Sequence, residues 1–546
     1  MFARIKKSGK YRYLQIVENR KENGKVKQRV ISTIGRMDQL HAKDRVETLI
    51  RSLSKFSEQA MLIITGKSDV SADGNKLGPA LIFERLWQQA GIKDAIKQLL
   101  SDRKYEFDVE RAIFLTVLHR LMVSGSDRSC DRWRRDYIIN GVDGISIHHF
   151  YRAMAFLGEV LNDQFNATPF TPRCNKDLIE EFIFAYRQDL FSQLDLVFFD
   201  TTSLYFEGKG GDSLGQRGFS KDHRPDLRQM VVGVIIDDCG QPICCEMWPG
   251  NTTDVKTLLP IVDKLRKRFK IRRFCIVADR GMINTNTVQS LESSDNEIPY
   301  ILGARLRKVK EIREEVLSRP GKYREVYPES TDSKDPSPLK VKQVCHNDSR
   351  YIVCLNQRHA RKDAQDRESI ILALKEQLKK GPKSLVGNKG YRKYVKIDKN
   401  SASIDEDKIK CESRFDGKWV LKTNTDLSAE QVALKYKELW QVERVFRDIK
   451  SLLDTRPIFH QSDAAIRGHV FCSFLALVLR KELDRRLEQS GHTFEWSAIK
   501  QDLEALEQIE IEESGKRFAI RSQSKGVCGK VFSAVGVALP PTIREV

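Results

Sequence analysis

A chain of 546 residues is long enough for several domains of about 150 residues each. Hydrophobic residues make up 40% and charged residues 31%, a balance that excludes a disordered chain and fits a globular one with sizeable cores. Lysine and arginine number 94 against 75 acidic residues, and the net charge of +19 points to a polyanionic partner.

A membrane surface is the competing anion. The longest apolar run, residues 470–479, is too short to cross a bilayer and is bounded by His469 and Arg480, so it is expected to be a buried helix and no membrane association is expected. The N-terminus is basic but lacks the apolar segment of a secretory signal, so a cytoplasmic location is expected. Eleven cysteines are scattered without a Cys-x-x-Cys pair or a zinc spacing, the pattern of reduced thiols.

In chain order, residues 11–34 alternate in strand fashion around Asn23-Gly24, the signal of a hairpin. Val46, Leu49, Ile50, Leu53 and Phe56 space one amphipathic helix. A polar stretch with Gly66, Gly74 and Gly78 then reads as a linker. Gly66-Lys67-Ser68 fails as a phosphate-binding loop, because Met61 occupies the position of its first glycine.

Residues 79–190 are helical in pattern, with one helix capped by Asp108. Within them, Arg132, Arg134 and Arg135 flank Trp133, a cluster suited to DNA-backbone contacts with a stacking ring, or equally to a solvated loop. This region is the candidate for DNA binding on charge grounds.

From residue 194 the pattern turns to strands. Residues 196–199 form a continuous apolar run, as in a strand covered on both faces, and Asp200 follows directly. Two more strands and a helix over residues 255–269 lead to a fourth strand, residues 274–278, which Asp279 follows. One strand-end aspartate is ordinary turn chemistry; two in one sheet are unusual. Between the first two strands lies a glycine-rich loop with Lys221, His223, Arg224 and Arg228, read as a basic loop over the carboxylates. His223 is open to three readings: metal ligand, DNA-facing group or exposed side chain. Residues 305–425 mix short strands with a helix, too long for a connection, so an inserted subdomain that interrupts the sheet is expected.

Residues 428–454 read as one long helix that opens with a Ser428/Gln431 capping box. Leu439, Val442, Phe446, Ile449 and Leu453 give it a buried stripe. Tyr436, Glu443 and Lys450 are spaced by sevens, and at about 100° per residue they share one edge of a regular helix. That edge could hold a metal-ligating carboxylate between two DNA-gripping groups, or be a plain solvated face. A buried helix over residues 466–487 and a mixed tail complete the chain.

Asp200, Asp279 and Glu443 thus come from three elements of one α/β layer. Such a set can hold two divalent cations about 4 Å apart, and Mg²⁺, with Mn²⁺ as a substitute, suits all-oxygen ligands. The segments FFDTTSLYFEG, SKDHRPDLRQ, PGNTTD, VADRGM and YKELWQVERVFRDIK, in this order, resemble the motifs of bacterial insertion-sequence DDE transposases, in the group with a Tyr-Arg-Glu-Lys signature. The resemblance spans residues 194–480.

The resemblance implies an α/β fold with an RNase H-like mixed-sheet catalytic core and an inserted α+β subdomain, preceded by a small β unit and a helical N-terminal region. The expected division is a β-hairpin and helix unit at 1–60, the helical region at 79–190, the core at 194–304 and 428–490, the insertion at 305–427 and a C-terminal tail at 491–546. It makes Asp200, Asp279 and Glu443 the catalytic, metal-binding triad, and Tyr436 and Lys450 contacts to DNA near the cleaved end. Leu439 stands where the signature has arginine, and Arg444 and Arg447 are the nearby substitutes. Lys221, His223 and Arg224 join the expected DNA contacts. The implied activity is 3′-end cleavage at the terminal inverted repeats of a mobile element and transfer of those ends to target DNA, by a homodimer on DNA at the bacterial nucleoid. A nuclease that cuts without joining, and a DNA-binding relic, are the alternatives.

Overall fold

The computed structural model describes residues 2–22, 25–41, 72–165, 167–168, 171–187, 196–271, 273–293, 297–327, 338–379, 393–398, 401–452, 455–513 and 516–545. The chain divides into two compact units, one of Met1–Gly74, Glu507–Gln523 and Pro540–Val546, the other of Asn75–Leu506 and Ser524–Leu539.

The first unit opens with β1 (Phe2–Ser8), β2 (Tyr11–Glu22) and β3 (Lys25–Arg36), an antiparallel sheet followed by the short helix α1 (Met37–His41). Strands β2 and β3 pair from Tyr13↔Arg36 to Glu22↔Lys25, on either side of Asn23-Gly24 as the hairpin signal requires. The helix expected around residues 46–56 lies outside the described residues. The glycines read as linker do not all lie in one: Gly74 sits in β4 (Ala72–Lys76) and Gly78 opens a helix. A Cβ at Gly78 would stand 2.3 Å from the Leu503 carbonyl oxygen, so glycine there serves close packing rather than flexibility.

The second unit begins with α2 (Gly78–Gln89), α3 (Ile92–Leu100), α4 (Val109–Met122), α5 (Asp127–Trp133), α6 (Ile147–Leu157) and α7 (Asn175–Arg187). Asp108 caps α4, accepting from the Arg111 amide at 3.0 Å, and every residue of α4 is buried. Trp133, open to a stacking or a solvated-loop reading, is partly buried here. Its ring packs 4.0 Å from that of Tyr137 and 5.2 Å from that of His119, against the core. Arg134 is turned inward to Asp131 and the Val142 carbonyl.

The sheet follows: β5 (Leu196–Tyr205), β6 (Gln229–Asp237), β7 (Pro242–Pro249), then α8 (Leu258–Lys267), β8 (Cys275–Ala278), α9 (Thr285–Glu292) and β9 (Tyr300–Gly303). Strands β7, β6 and β5 are antiparallel neighbours, and β5, β8 and β9 run parallel. Along β5, Leu196 and Phe198 join one core while Val197 and Phe199 join a second on the opposite face. Two covered faces are why the run is apolar without alternation.

Residues 305–425, expected as an inserted subdomain, add strands at one edge of this sheet. Strands β10 (Arg324–Val326), β11 (Leu339–His346) and β12 (Ser349–Asn356) extend it through β15 (Lys418–Thr423), giving the order β10-β11-β12-β15-β9-β8-β5-β6-β7. Between β12 and β15 come α10 (Gln357–Lys379), the small hairpin β13 (Val395–Asp398) and β14 (Ser401–Ile404), and α11 (Glu406–Ser413). Pairing of β15 with β9 joins the two halves, which no local pattern could announce.

The helix expected over residues 428–454 is also corrected. The capping box at Ser428 and Gln431 is present, and α12 (Ala429–Lys437) follows. The amides of Leu439, Gln441 and Val442 then bond three residues back, to Tyr436, Glu438 and Leu439. This tighter turn separates α12 from α13 (Trp440–Arg447), and residues Asp448–Leu452 widen into π geometry. Leu439, Val442, Phe446 and Ile449 are buried as expected, while Leu453 lies outside the described residues. The buried helix is α14 (Asp463–Gln489), followed by α15 (Trp496–Glu504). Beyond it come β16 (Glu507–Glu513), β17 (Lys516–Arg521), α16 (Cys528–Val535) and β18 (Ile543–Glu545); the strands order β18-β17-β16-β4 in a separate sheet of the first unit.

A buried ion cluster ties the helical region to the sheet. Lys264 of α8 reaches Asp177 and Glu180 of α7 and Glu246 of β7 at 3.0, 3.1 and 3.2 Å. Lys176 reaches the same Asp177 oxygen at 2.9 Å. Burial alone would raise the Asp177 carboxyl, but Lys176, Lys264 and Arg268 overcome it and hold it well below the usual range.

Candidate active site

The parallel register of β5 and β8 ends at Phe199↔Ala278, so Asp200 and Asp279 are the next residue on each strand. Asp200 is not at a strand end as expected: β5 continues to Tyr205 against β6, whereas β8 stops at Ala278. Side chains alternate along a strand, so Asp200 follows the face of Leu196 and Phe198, and Asp279 that of Val277. That face carries the core to which α13 contributes Val442, Val445 and Phe446. Strand pleat and helix packing therefore bring Asp200, Asp279 and Glu443 to one cleft of about 1600 Å³, also lined by Tyr436 and Lys221.

The Asp200 carboxyl is pushed up to about 6 by burial. Lys221 and the Thr201 amide oppose the rise, and the charges of Asp279 and Asp254 add to it. The carboxylates of Asp200, Asp279 and Glu443 line one cleft, and their all-oxygen donor set suits a hard divalent cation. The Tyr436 hydroxyl donates to Asp279 Oδ1 at 3.1 Å, and burial followed by the Asp279 charge pushes its phenol well above the ordinary value, so it stays a donor. A Cβ at Gly303 would stand 2.3 Å from that hydroxyl, which is why β9 ends in glycine.

Asp254, within the quoted PGNTTD segment, escaped the sequence reading as a site residue. Its Oδ1 accepts from the Thr201 hydroxyl at 2.7 Å and its Oδ2 pairs with Lys221 at 3.2 Å. Lys221 also donates to the Thr201 carbonyl and hydroxyl, each at 2.8 Å, and the Thr201 amide donates to Asp200 at 2.7 Å. Thr201 thus links Asp254 and Lys221 to Asp200. Basic groups from residues 305–425, Arg305, Arg307, Lys308 and Lys418, line the same cleft. Arg305, Arg307 and Lys308 follow β9 directly, and the β9–β15 pairing brings Lys418 in beside them.

The other expected site residues lie elsewhere. Lys450 is in the π segment and pairs with Asp222, not with the carboxylates. Tyr436, Glu443 and Lys450 share no simple edge, since the tight turn and the π segment each disturb a seven-residue step. His223 is exposed with a left-handed φ of 58°, and the exposed Arg224 pairs with Asp226 at 2.9 Å. Arg444 is exposed, its charge felt by Lys481 and Asp484 of α14, and Arg447 is exposed. None of these five lines the cleft.

Three antiparallel strands continued by two parallel ones, with acids on the central pair and on a facing helix, form an RNase H-like catalytic core. A model of the transposase DDE domain matches residues 192–479, just over half of the chain, and one of the IS1634 family transposase N-terminal domain matches residues 3–68. The chain belongs to the insertion-sequence DDE transposases. It is a DNA transposase, of a class whose domains use divalent metal ions. Among solved structures it is similar to a piggyBac transposase synaptic complex with hairpin DNA, at 10% identity over 78% of this chain and 79% of that one, with a TM-score of 0.37. No curated protein matches it. Among the described residues no helix is long and apolar enough to cross a membrane.

Proposed function

We propose that Asp200, Asp279 and Glu443 are the catalytic triad of 3′-end cleavage and strand transfer at the terminal inverted repeats of a mobile element. The observation that carries this is the β5–β8 register, which aligns the two aspartates in the cleft that Glu443 also lines. Two Mg²⁺ ions held by these carboxylates would supply Lewis-acid polarisation of the scissile phosphodiester and neutralise its developing charge. Tyr436 orients Asp279 through its hydrogen bond. Thr201 and Lys221 orient Asp200 and favour its charged form. The basic groups of the cleft hold the DNA backbone, and positioning replaces an activated side-chain nucleophile.

In this reading the chain acts as a homodimer that pairs two element ends at the nucleoid. Residues 1–190 read those ends, and residues 305–427 contribute to the DNA surface beside the triad. The Tyr-Arg-Glu-Lys subgroup is proposed on Tyr436, Glu443 and Lys450, with Leu439 as the departure.

The test is a cleavage and joining assay with Mg²⁺, a target plasmid and labelled DNA from both flanks of the gene. Wild type is expected to cut at the element ends and join them to the plasmid. Glu443→Gln is expected to bind DNA yet not cut it. Cutting by that variant near the wild-type rate removes Glu443 from the triad, and cutting without joining by wild type identifies a nuclease.

A further inference from the structure

We propose that the outer end of the β2–β3 hairpin is a two-stranded ribbon that enters the DNA major groove and reads base edges there. The inference rests on the transposase reading, in which residues 1–190 recognise the element ends. Residues 1–36 carry eleven lysines and arginines against two glutamates, an excess of nine in a chain whose net charge is +19. Such an excess on one small sheet points to a polyanion.

Strand β1 flanks β2 from Ser8↔Tyr11 to Phe2↔Val17. The last five pairs of β2 with β3, Glu18↔Arg29 to Glu22↔Lys25, have no further described strand beside them. At ~3.4 Å per residue this ribbon runs about 17 Å. Asn19, Arg20, Lys27, Gln28 and Arg29 on it are exposed. Arg20 stands directly opposite Lys27, and nearer the base of the sheet Lys7 stands opposite Arg12. Like charges in directly opposed positions destabilise an antiparallel pair. In water the ribbon therefore carries a repulsion that bound phosphates remove.

The two faces differ in chemistry. Side chains alternate along a strand, so the directly opposed Asn19 and Gln28 share the face of Val17. Arg4 lies across that face, donating to Gln28 Oε1 at 2.5 Å and to Gln15 Oε1 at 3.4 Å, and the Gln15 amide donates to the Thr33 hydroxyl at 3.1 Å. Exposed carboxamides are the groups that match the N6 and N7 edge of adenine in the major groove. The opposite face carries Arg20, Lys27 and Arg29, long enough to reach the phosphates on the groove's rims. Arg29 is 4.0 Å from Glu18, a loose exposed pair that a phosphate can replace. Strands ~4.8 Å apart make a ribbon that fits a groove about 12 Å wide. The minor groove, at about 6 Å, and the narrow major groove of duplex RNA exclude it.

The experiment titrates the full chain with labelled duplexes from both flanks of the gene and with scrambled duplexes of equal length, at several salt concentrations. Arg20→Ala and Lys27→Ala are each expected to lower the salt slope by about one, on flank and scrambled DNA alike. Asn19→Ala combined with Gln28→Ala is expected to leave the slope unchanged and to lower the preference for flank DNA about tenfold or more. Replacing single adenines by 7-deazaadenine removes the major-groove N7 and keeps base pairing. Wild type should lose affinity at specific positions, and the double variant should be indifferent there. If the double variant melts early, the 7-deazaadenine scan of wild type alone decides. Unchanged slopes, an unchanged preference, a wild type that ignores every 7-deazaadenine, or tighter binding of duplex RNA than of DNA overturns the ribbon alone. A wild type that neither prefers flank DNA nor cuts it in Mg²⁺ overturns the transposase reading, and the ribbon's role with it.

Discussion

The carboxylate of Asp222 accepts from the Lys450 ammonium at 2.7 Å, and the Arg456 guanidinium reaches the same oxygen at 2.6 Å. The second Asp222 oxygen is buried with no hydrogen-bond partner among the described residues. A DNA phosphate that meets Lys450 must therefore displace an internal anion. Asp222→Asn is expected to tighten binding of end DNA several-fold at low salt, and Lys450→Ala to weaken it and to lower the salt slope by about one phosphate contact. Titrations over a range of salt check both. Weaker binding by Asp222→Asn would mean that the carboxylate supports the bound state instead.

Asp254 touches Lys221 and Thr201, and Thr201 in turn holds Asp200. Asp254→Asn keeps the shape and removes the charge, which frees the Lys221 ammonium and loosens the residue beside Asp200. Supporting residues of this kind typically contribute about 10- to 100-fold. A drop of that size in kcat, with end binding within about twofold of wild type, is the expected result of single-turnover cleavage assays. Unchanged kcat would reduce Asp254 to lining.

One buried histidine, His119, and two partly buried ones, His460 and His469, tie stability to pH. Burial, reinforced by Arg120, lowers His119 and His460 to about 4 and His469 well below its ordinary range. Arg120 lies 2.8 Å from His469 Nδ1, and His469 Nε2 donates to the Thr455 carbonyl at 3.1 Å, so the ring is held neutral. For His119 and His460 the unfolded chain takes up the proton near pH 6.5 and the folded chain only near pH 4. Between those values the unfolded state binds more protons, so stability is full above pH 6.5 and falls as pH drops, by up to roughly 3 kcal/mol per histidine. Thermal melts at pH 7.5 and 5.0 should show a lower midpoint in acid, and His460→Asn should flatten the slope. A midpoint that does not move with pH would mean that these rings are protonated when folded.

Lys264 compensates Asp177, Glu180 and Glu246 at once in a dry setting. Lys264→Met leaves those acids short of a cation and is expected to cost about 3–5 kcal/mol, read as a lower denaturant midpoint. Replacing Glu180 by Gln in the same chain should recover part of that loss. If Lys264→Met melts like wild type, the cluster is not fully charged.

The legible part of the site was what local chemistry writes into a short stretch. Apolar runs ahead of Asp200 and Asp279 marked strands covered on both faces, and the helical stripe around Glu443 marked a packed helix. What stayed hidden depended on distant pairing. The tight turn at Leu439 involves no proline or glycine, so periodicity ran straight through it. The partner of Lys450 lies 228 residues away, on a loop whose basic residues drew attention away from Asp222. The strand β15 joins β9 across more than a hundred residues, and with it comes Lys418 on the cleft wall. Trp133 looked like a wedge among arginines because one sequence cannot tell an outward ring from one turned toward Tyr137.

The sheet order β18-β17-β16-β4 has a consequence for how the protein is made. Strand β4 leaves the ribosome more than 400 residues before β16 is synthesised, an interval on the order of tens of seconds at ordinary elongation rates. Throughout that time its hydrogen-bonding edge has no partner from its own sheet, and the first unit closes only once translation has passed the catalytic core. A nascent chain halted between the two, at residue 500 for example, would carry Asp200, Asp279 and Glu443 and still lack the strands that complete its opening domain.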